Sequence, residues 1–270
     1  MIRKHIVPGS VAALLAATGL ASAQQAPPPA AVASAQSGGF SLTAGVDYST
    51  GKYGGTSSTD ILYVPLTGKY ESDAWTFKLI VPYISVTGPG NVVRDIGIVR
   101  NKAAGPRRTQ DGLGDIVAAV SRNVITVPST GTLVDVTGKI KFGTADASKG
   151  LGTGENDYAA QVDLTQRVTP ALSVFGSLGY KFIGSPAGAQ LANVVYGEAG
   201  AAYKVGDGLR VGAIFDASEA PSPVSGSQRE LTAYVTQQLT ERWKVQGYAV
   251  KGLANGSPDW GGGALVTLGF

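Results

Sequence analysis

A chain of 270 residues with 22 basic and 19 acidic side chains, a single histidine and no cysteine excludes several classes of protein at once. It can hold no disulfide, no thiolate nucleophile and no cysteine-ligated zinc. Charged residues make up only 15% while glycine occupies 38 positions, a balance that suits a large lipid-facing sheet better than a water-soluble domain.

Arg3 and Lys4 precede an apolar run from Ile6 to Leu20, and Ala21-Ser22-Ala23 offers the small residues at which a signal peptidase cuts. Residues 1–23 therefore read as a secretory signal. The run is too short and too rich in alanine for a membrane-spanning helix, which needs about 20 predominantly apolar residues. Its removal takes away Arg3, Lys4 and His5, and 20 basic residues then face 19 acidic ones. The later strands interleave both signs, so no basic footprint for nucleic acid is expected. Residues 24–38, built of Ala, Pro, Ser and Gln without periodicity, read as a disordered lead-in.

From residue 39 onward the chain alternates apolar and polar residues, the period of a strand with one oily and one wet side. Phe40, Leu42, Ala44, Val46 and Tyr48 oppose Ser41, Thr43 and Asp47; Leu62, Val64, Leu66 and Tyr70 oppose Tyr63, Thr67 and Lys69. Trp75, Phe77, Leu79, Val81 and Tyr83 oppose Thr76 and Lys78. Pro65 and Pro82 interrupt two of these strands, because proline cannot donate to a ladder. After a long segment from Thr87 to Asp111, a strand opens at Gly112-Leu113-Gly114-Asp115 and runs through Val127. Arg122 breaks its alternation, which predicts either a bulge or an arginine snorkelling to the headgroups.

The alternation is cleanest over residues 133–182. Val134, Val136, Ile140 and Phe142 oppose Asp135, Thr137, Lys139 and Lys141; after the loop 143–157, Tyr158, Ala160, Val162 and Leu164 oppose Gln161, Asp163, Thr165 and Arg167. A turn at Thr169-Pro170 leads to Leu172, Val174, Leu178, Tyr180 and Phe182 opposite Ser173, Ser177 and Lys181. Four more strands follow, starting near residues 195, 209, 231 and 243, and a last one starts at Trp260 and ends on Phe270. The sum is about 12 strands of about ten residues each, the length that crosses a bilayer when tilted, with short turns at one end and longer loops at the other.

An antiparallel up-and-down transmembrane barrel over residues 39–270 is therefore predicted, since closure alone leaves no unpaired backbone in lipid. Tyr70, Trp75, Tyr203, Trp243 and Phe270 would form one aromatic girdle and Tyr48, Tyr83, Tyr158, Tyr180 and Trp260 the other. A soluble lipocalin-like barrel would show the same alternation with its oily face inward.

Catalysis is not expected. Hydrolytic sites commonly recruit histidine as base, and the only one leaves with the signal. Hydroxyl and lysine pairs such as Ser177 with Lys181 or Thr137 with Lys139 arise by chance on strands this rich in both. Gly150-Leu151-Gly152-Thr153-Gly154 lacks the lysine and hydroxyl that must follow in a phosphate loop, having Glu155-Asn156-Asp157 instead. A calcium site from Asp146, Glu155 and Asp157 competes with a plain hairpin loop. No metal or cofactor is expected.

The inner face is expected to carry Asp47, Asp115, Asp135, Asp163, Glu198, Asp216 and Glu230 against Lys69, Lys78, Lys139, Lys141, Arg167, Lys204, Arg210 and Lys244. So even a balance predicts little ion selectivity. Lys139 and Lys141, adjacent on one face and expected near Arg167 of the next strand, are where a carboxylate-bearing solute would be sought; mutual neutralisation with Asp135 and Asp163 is the simpler reading. Arg94, Arg100, Lys102, Arg107 and Arg108 form a basic loop cluster with three readings: a solvated loop, a fold-back that narrows the pore, or a grip on lipid phosphates.

Gly112-Leu113-Gly114-Asp115-Ile116, Gly138-Lys139-Ile140-Lys141-Phe142 and Leu151-Gly152-Thr153-Gly154 followed by Asp157 resemble the outer-membrane transporter family linked to the meta-cleavage pathway of phenol degradation. The resemblance is clearest over residues 112–185. Where that family commonly reads Pro-Thr-Gly after the lysine strand, this chain has Phe142-Gly143-Thr144-Ala145. A terminal Phe after alternating apolar residues also resembles the assembly signal of bacterial outer-membrane proteins. The resemblance implies a barrel in a Gram-negative outer membrane that admits small hydrophobic or aromatic solutes. The expected function is thus a monomeric passive channel, in contact with outer-membrane lipid and lipopolysaccharide. The alternatives are a plugged barrel that binds a partner or lipopolysaccharide, and a barrel enzyme. Export should leave a mature chain beginning at Gln24, which mass spectrometry of the membrane-extracted protein checks.

Overall fold

The computed structural model describes residues 38–98 and 105–270, so the expected signal and nearly all of the expected lead-in lie outside the described residues. The strands in chain order are β1 (Gly39–Gly51), β2 (Thr59–Glu71), β3 (Trp75–Gly88), β4 (Val92–Val93), β5 (Gly97–Ile98), β6 (Arg108–Leu113), β7 (Ile116–Val127) and β8 (Thr132–Phe142). There follow β9 (Asp157–Arg167), β10 (Leu172–Phe182), β11 (Val194–Lys204), β12 (Leu209–Ser218), β13 (Gln228–Gln238), β14 (Trp243–Gly252) and β15 (Trp260–Gly269). β1 pairs with both β2 and β15, and β2 pairs on to β3, so the main sheet closes on itself. β6 and β7 both pair with β3 and follow one another along it, making two halves of one stave. The result is a closed antiparallel barrel of twelve staves. Five short turns join staves at one end, and six longer loops lie at the other.

The residues that disturbed the sequence pattern have local explanations. Pro65 and Pro82 are direct partners on β2 and β3. Each faces its missing N–H toward a neighbour where pairing lapses: the β1–β2 ladder skips Gly45 and Val46, and Pro82 lies at the break between β6 and β7. Arg122 lies beside the expected bulge. Its guanidinium lies 5.2 Å from the Trp75 ring centroid on the outside, and the register shifts just after it, between Asn123 and Ile125.

The outer surface exposes Leu42, Leu66, Leu79, Val136, Val162, Leu164, Leu178, Leu231 and Val235, while Thr137, Lys139, Gln161, Asp163, Lys181 and Glu230 are buried inside. Each large apolar side chain left in water forgoes about 1.5–3 kcal/mol of burial. A surface carrying this many is stable where hydrocarbon covers it. The aromatic residues expected in the two girdles are all exposed on this outer face. A lipocalin-like barrel needs the opposite arrangement and is excluded.

The interior also holds large apolar groups that the alternation passed over, among them Ile61, Ile80, Ile84, Phe175, Tyr196 and Ile214. Glycine makes the room. Tyr196 lies against its cross-strand partner Gly179, Tyr234 against Gly212 and Tyr248 against Gly263. A Cβ at Gly179 would stand 2.3 Å from Tyr196 Cζ, and one at Gly212 2.4 Å from Tyr234 Cζ. Those rings lie against the wall because nothing projects beneath them. Gly179→Val and Gly212→Val should each lift a ring and destabilise the barrel by about 1–3 kcal/mol, read as a lower temperature for loss of the folded electrophoretic band. Gly138→Val, with open space around its Cβ, should leave that temperature unchanged.

Candidate functional site in the barrel interior

After β3 the chain enters the barrel mouth over residues 92–97. The tip of this segment turns sharply through Asp95 (φ 67°) and Gly97 (φ 80°), with β4 paired to β5 and Ile96 N donating to Val93 O at 3.3 Å. Val92, Arg94 and Ile96 are all buried. Val92 packs in a cluster with Tyr53, Tyr63, Ile84 and Leu151, and Ile96 in another with Ile183, Leu191 and Val194. The Arg94 guanidinium sits 3.3 Å from the Tyr63 ring centroid, a contact worth roughly 2 kcal/mol where water is excluded. Apolar packing on both flanks and one cation over a ring thus hold the tip inside.

Beside the tip, Lys141 on β8 bridges Asp115 at 3.0 Å and Asp157 at 3.1 Å. Both carboxylates are further fixed by backbone: Asp115 accepts from Ala145 N and Asp157 from Gly184 N, each at 2.9 Å. A cavity of about 30 Å³ remains among Tyr63, Arg94, Asp95, Asp115, Lys141 and Asp157, room for about one water. Burial pushes the Asp95 carboxyl above its ordinary value, while Arg94 and then Lys181 and Lys141 pull it down.

Toward the short turns the wall is a polar network. Thr137 donates to Asp163 at 2.8 Å, Gln161 bonds both Lys139 and Asp163, and Tyr196 donates to Gln161 at 3.0 Å. Asn123 donates to Asp135 at 2.9 Å; in the loop-side half of the barrel, Tyr248 donates to Asp47 at 2.6 Å. Ser177 Oγ is buried without a hydrogen-bond partner, so Lys181 does not engage it, and the Thr137 hydroxyl is committed to Asp163.

Lys139, Lys141, Asp135, Asp163 and Glu198 face the interior and are buried, Asp115 borders the cavity, and Arg210 is half-buried opposite Thr236 near the short turns. Arg167 is not near the two lysines, contrary to the sequence expectation. β9 runs antiparallel to β8, so Lys139 and Lys141 meet Ala159 and Asp157, whereas Arg167 lies at the far end with Nη2 3.5 Å from Pro128 O. Lys204 also leaves the interior set, being exposed at a turn 3.8 Å from Asp207.

The basic loop cluster divides. Arg94 is inside, Arg107 pairs with Asp60 at 2.6 Å on the exposed rim, Arg108 is exposed, and Arg100 and Lys102 lie outside the described residues. The supposed calcium ligands are also apart in role, with Asp157 held by Lys141 and Asp146 by Ser148. Among the described residues no three such groups converge on a metal position. Sequence reasoning missed Asp95, Phe175 and Tyr196; only the period-two register of Tyr196 with Glu198 could have found the last.

No protein-family model matches the chain, and no curated protein matches it by sequence. Solved structures do match. The KdgM porin aligns over 85% of this chain and 99% of its own, with a TM-score of 0.52 at 10% identity, a likeness of fold. The NanC porin aligns over 85% of this chain and 98% of its own at TM-score 0.48 and 12% identity. A protein titled the CymD monoaromatic hydrocarbon channel aligns over 87% and 88% at TM-score 0.44 and 10% identity.

Arg94→Ala should loosen the loop tip and speed proteolysis within residues 89–107 of the folded barrel. The tucked state raises the Asp95 pKa, so it binds more protons than a solvated loop. Its stabilisation by acid is full below the ordinary value of about 3.9 and is lost as pH rises through the raised one. Protection of the loop should therefore increase on acidification, and Asp95→Asn should flatten that dependence.

Proposed function

We propose that this chain is an outer-membrane channel through which small solutes, aromatic or hydrophobic ones among them, diffuse passively. The observation that carries the reading is the inverted surface: apolar outside, charged and tyrosine-lined inside, with a loop seated in the mouth. Membrane burial explains the outside, and a solute path gives the polar inside a use. Twelve staves fall between small barrels filled by side chains and large ones with open lumens, so a narrow, loop-controlled path fits. Phe175, Tyr196, Tyr234 and Tyr248 make the inner wall aromatic, which suits an aromatic solute and accords with the resemblance to transporters of the phenol meta-pathway. The same reading makes the chain a monomer bordered by lipid and lipopolysaccharide, with no catalytic role.

One observation favours the second reading, a plugged barrel. Glu230, Asp163 and Lys181 are 0%, 1% and 2% exposed, so the interior side chains largely cover one another. Reconstitution in planar bilayers separates the two. A channel gives discrete current steps, larger in Arg94→Ala as the tip loosens, and liposomes swell in aromatic acids; a plugged barrel gives neither.

A further inference from the structure

The register of the barrel puts charges of each sign on a row of their own. Passing from one cross-strand partner to the next, Lys69 meets Lys78, Lys78 meets Ala119, Ala119 meets Lys139, Lys139 meets Ala159, and Ala159 meets Lys181. Four lysines therefore share one continuous row. Lys69 lies beside the turn end of β2 and Lys181 beside the loop end of β10, so the row climbs nearly the whole wall.

A second row carries carboxylates. Asp135 meets Asp163, Asp163 meets Ser177, Ser177 meets Glu198, Glu198 meets Asp216, and Asp216 meets Glu230. Both rows cross β8, β9 and β10, where they run parallel about 13 Å apart along the strand, as Lys139 and Asp135 do on β8, at about 3.3 Å per residue; the lysine row goes on to β3 and β2 and the acidic row to β11, β12 and β13. The intervening space is polar but uncharged, with Thr137, Gln161 and Tyr196 between the rows. Lys139 lies within Coulomb range of both Asp163 and Glu198.

Like charges placed directly opposite repel, yet Lys69 faces Lys78, and Glu198, Asp216 and Glu230 follow in succession. Lys69 is relieved by Glu71 at 2.7 Å. Lys78 and Lys181 form no carboxylate pair within 4.0 Å among the described residues, whereas Lys141 takes two. Lys78 and Lys181 thus meet carboxylates only at longer range, Lys78 those of Glu198 and Asp163 and Lys181 those of Asp95 and Asp157. Glu230 is fully buried, and its carboxylate has no close hydrogen bond, with the Ser257 hydroxyl as a looser neighbour. A ligand that brings an anion to one row and a donor to the other satisfies both.

We propose that the two rows form a double track for a small organic carboxylate bearing a hydroxyl or amino donor at its far end. The lysines steer the carboxylate, and the acidic row accepts from the donor. This rests on the channel reading and gives it a solute class.

The test uses the full chain and three ligands of one shape: 4-hydroxybenzoate, benzoate and benzyl alcohol. Binding to the detergent-solubilised protein is measured by calorimetry, and interruptions of current are counted in planar bilayers. The expected order is 4-hydroxybenzoate, then benzoate, then benzyl alcohol. Lys78→Gln combined with Lys139→Gln should weaken both anions by about tenfold or more. The matching arginine pair should retain them, separating charge from packing. Glu230→Met should erase only the preference for the hydroxyl. Equal binding of benzyl alcohol and 4-hydroxybenzoate, or unchanged affinity in the folded glutamine pair, overturns the track. Binding in the expected order without any current overturns the channel reading instead and leaves the track as a binding site.

Discussion

Everything in this molecule depends on the pairing of β1 with β15. Ten consecutive partners, from Ser41 with Gly269 to Thr50 with Trp260, join the first stave to the last. Phe270 N reaches Phe40 O at 2.9 Å, and their rings stand 5.7 Å apart, extending the seam to the rim. Without that seam two strands would present unpaired N–H and C=O groups to hydrocarbon, at several kcal/mol for each group.

Closure fixes where charge can go. With one side chain in two committed to lipid, most ionised groups of the wall are pressed inward, into a space where unpaired charge is expensive, and Arg122 is an exception that lies outside over Trp75. The barrel responds differently in its two halves. Near the loops, Lys141 is clamped by Asp115 and Asp157, and Arg94 arrives from the loop to cover Tyr63. Toward the turns, amide and hydroxyl groups such as Gln161 and Thr137 link charges without cancelling them.

The same closure turns sequence spacing into geometry. A row of cross-strand partners in a tilted barrel rises as it goes round, so residues scattered from 69 to 181 become one ascending line. Flat against that wall lie tyrosines over glycines, which keeps bulky rings without letting them stand across the interior. An interior charged along two lines is what this barrel yields from this sequence.

The alternation of period two is local, which is why strand positions, outward faces, both aromatic girdles and the inward turn of Lys139, Lys141 and Asp163 were legible in the sequence. Pairing across a long loop is not local. The loop 143–156 brings Asp157 beside Lys141 and sends Arg167 to the other end of the barrel, so the expected proximity of Arg167 failed. Ile61, Ile80, Phe175 and Tyr196 were passed over because an inward apolar residue is explained only by how much space remains inside. The sequence by itself determined an exported-looking chain of twelve amphipathic strands and which side of each meets lipid. Tertiary structure alone decided the charged rows, the glycine seats for the tyrosines and the entry of Arg94. These need the register and radius that exist only once all twelve staves have closed.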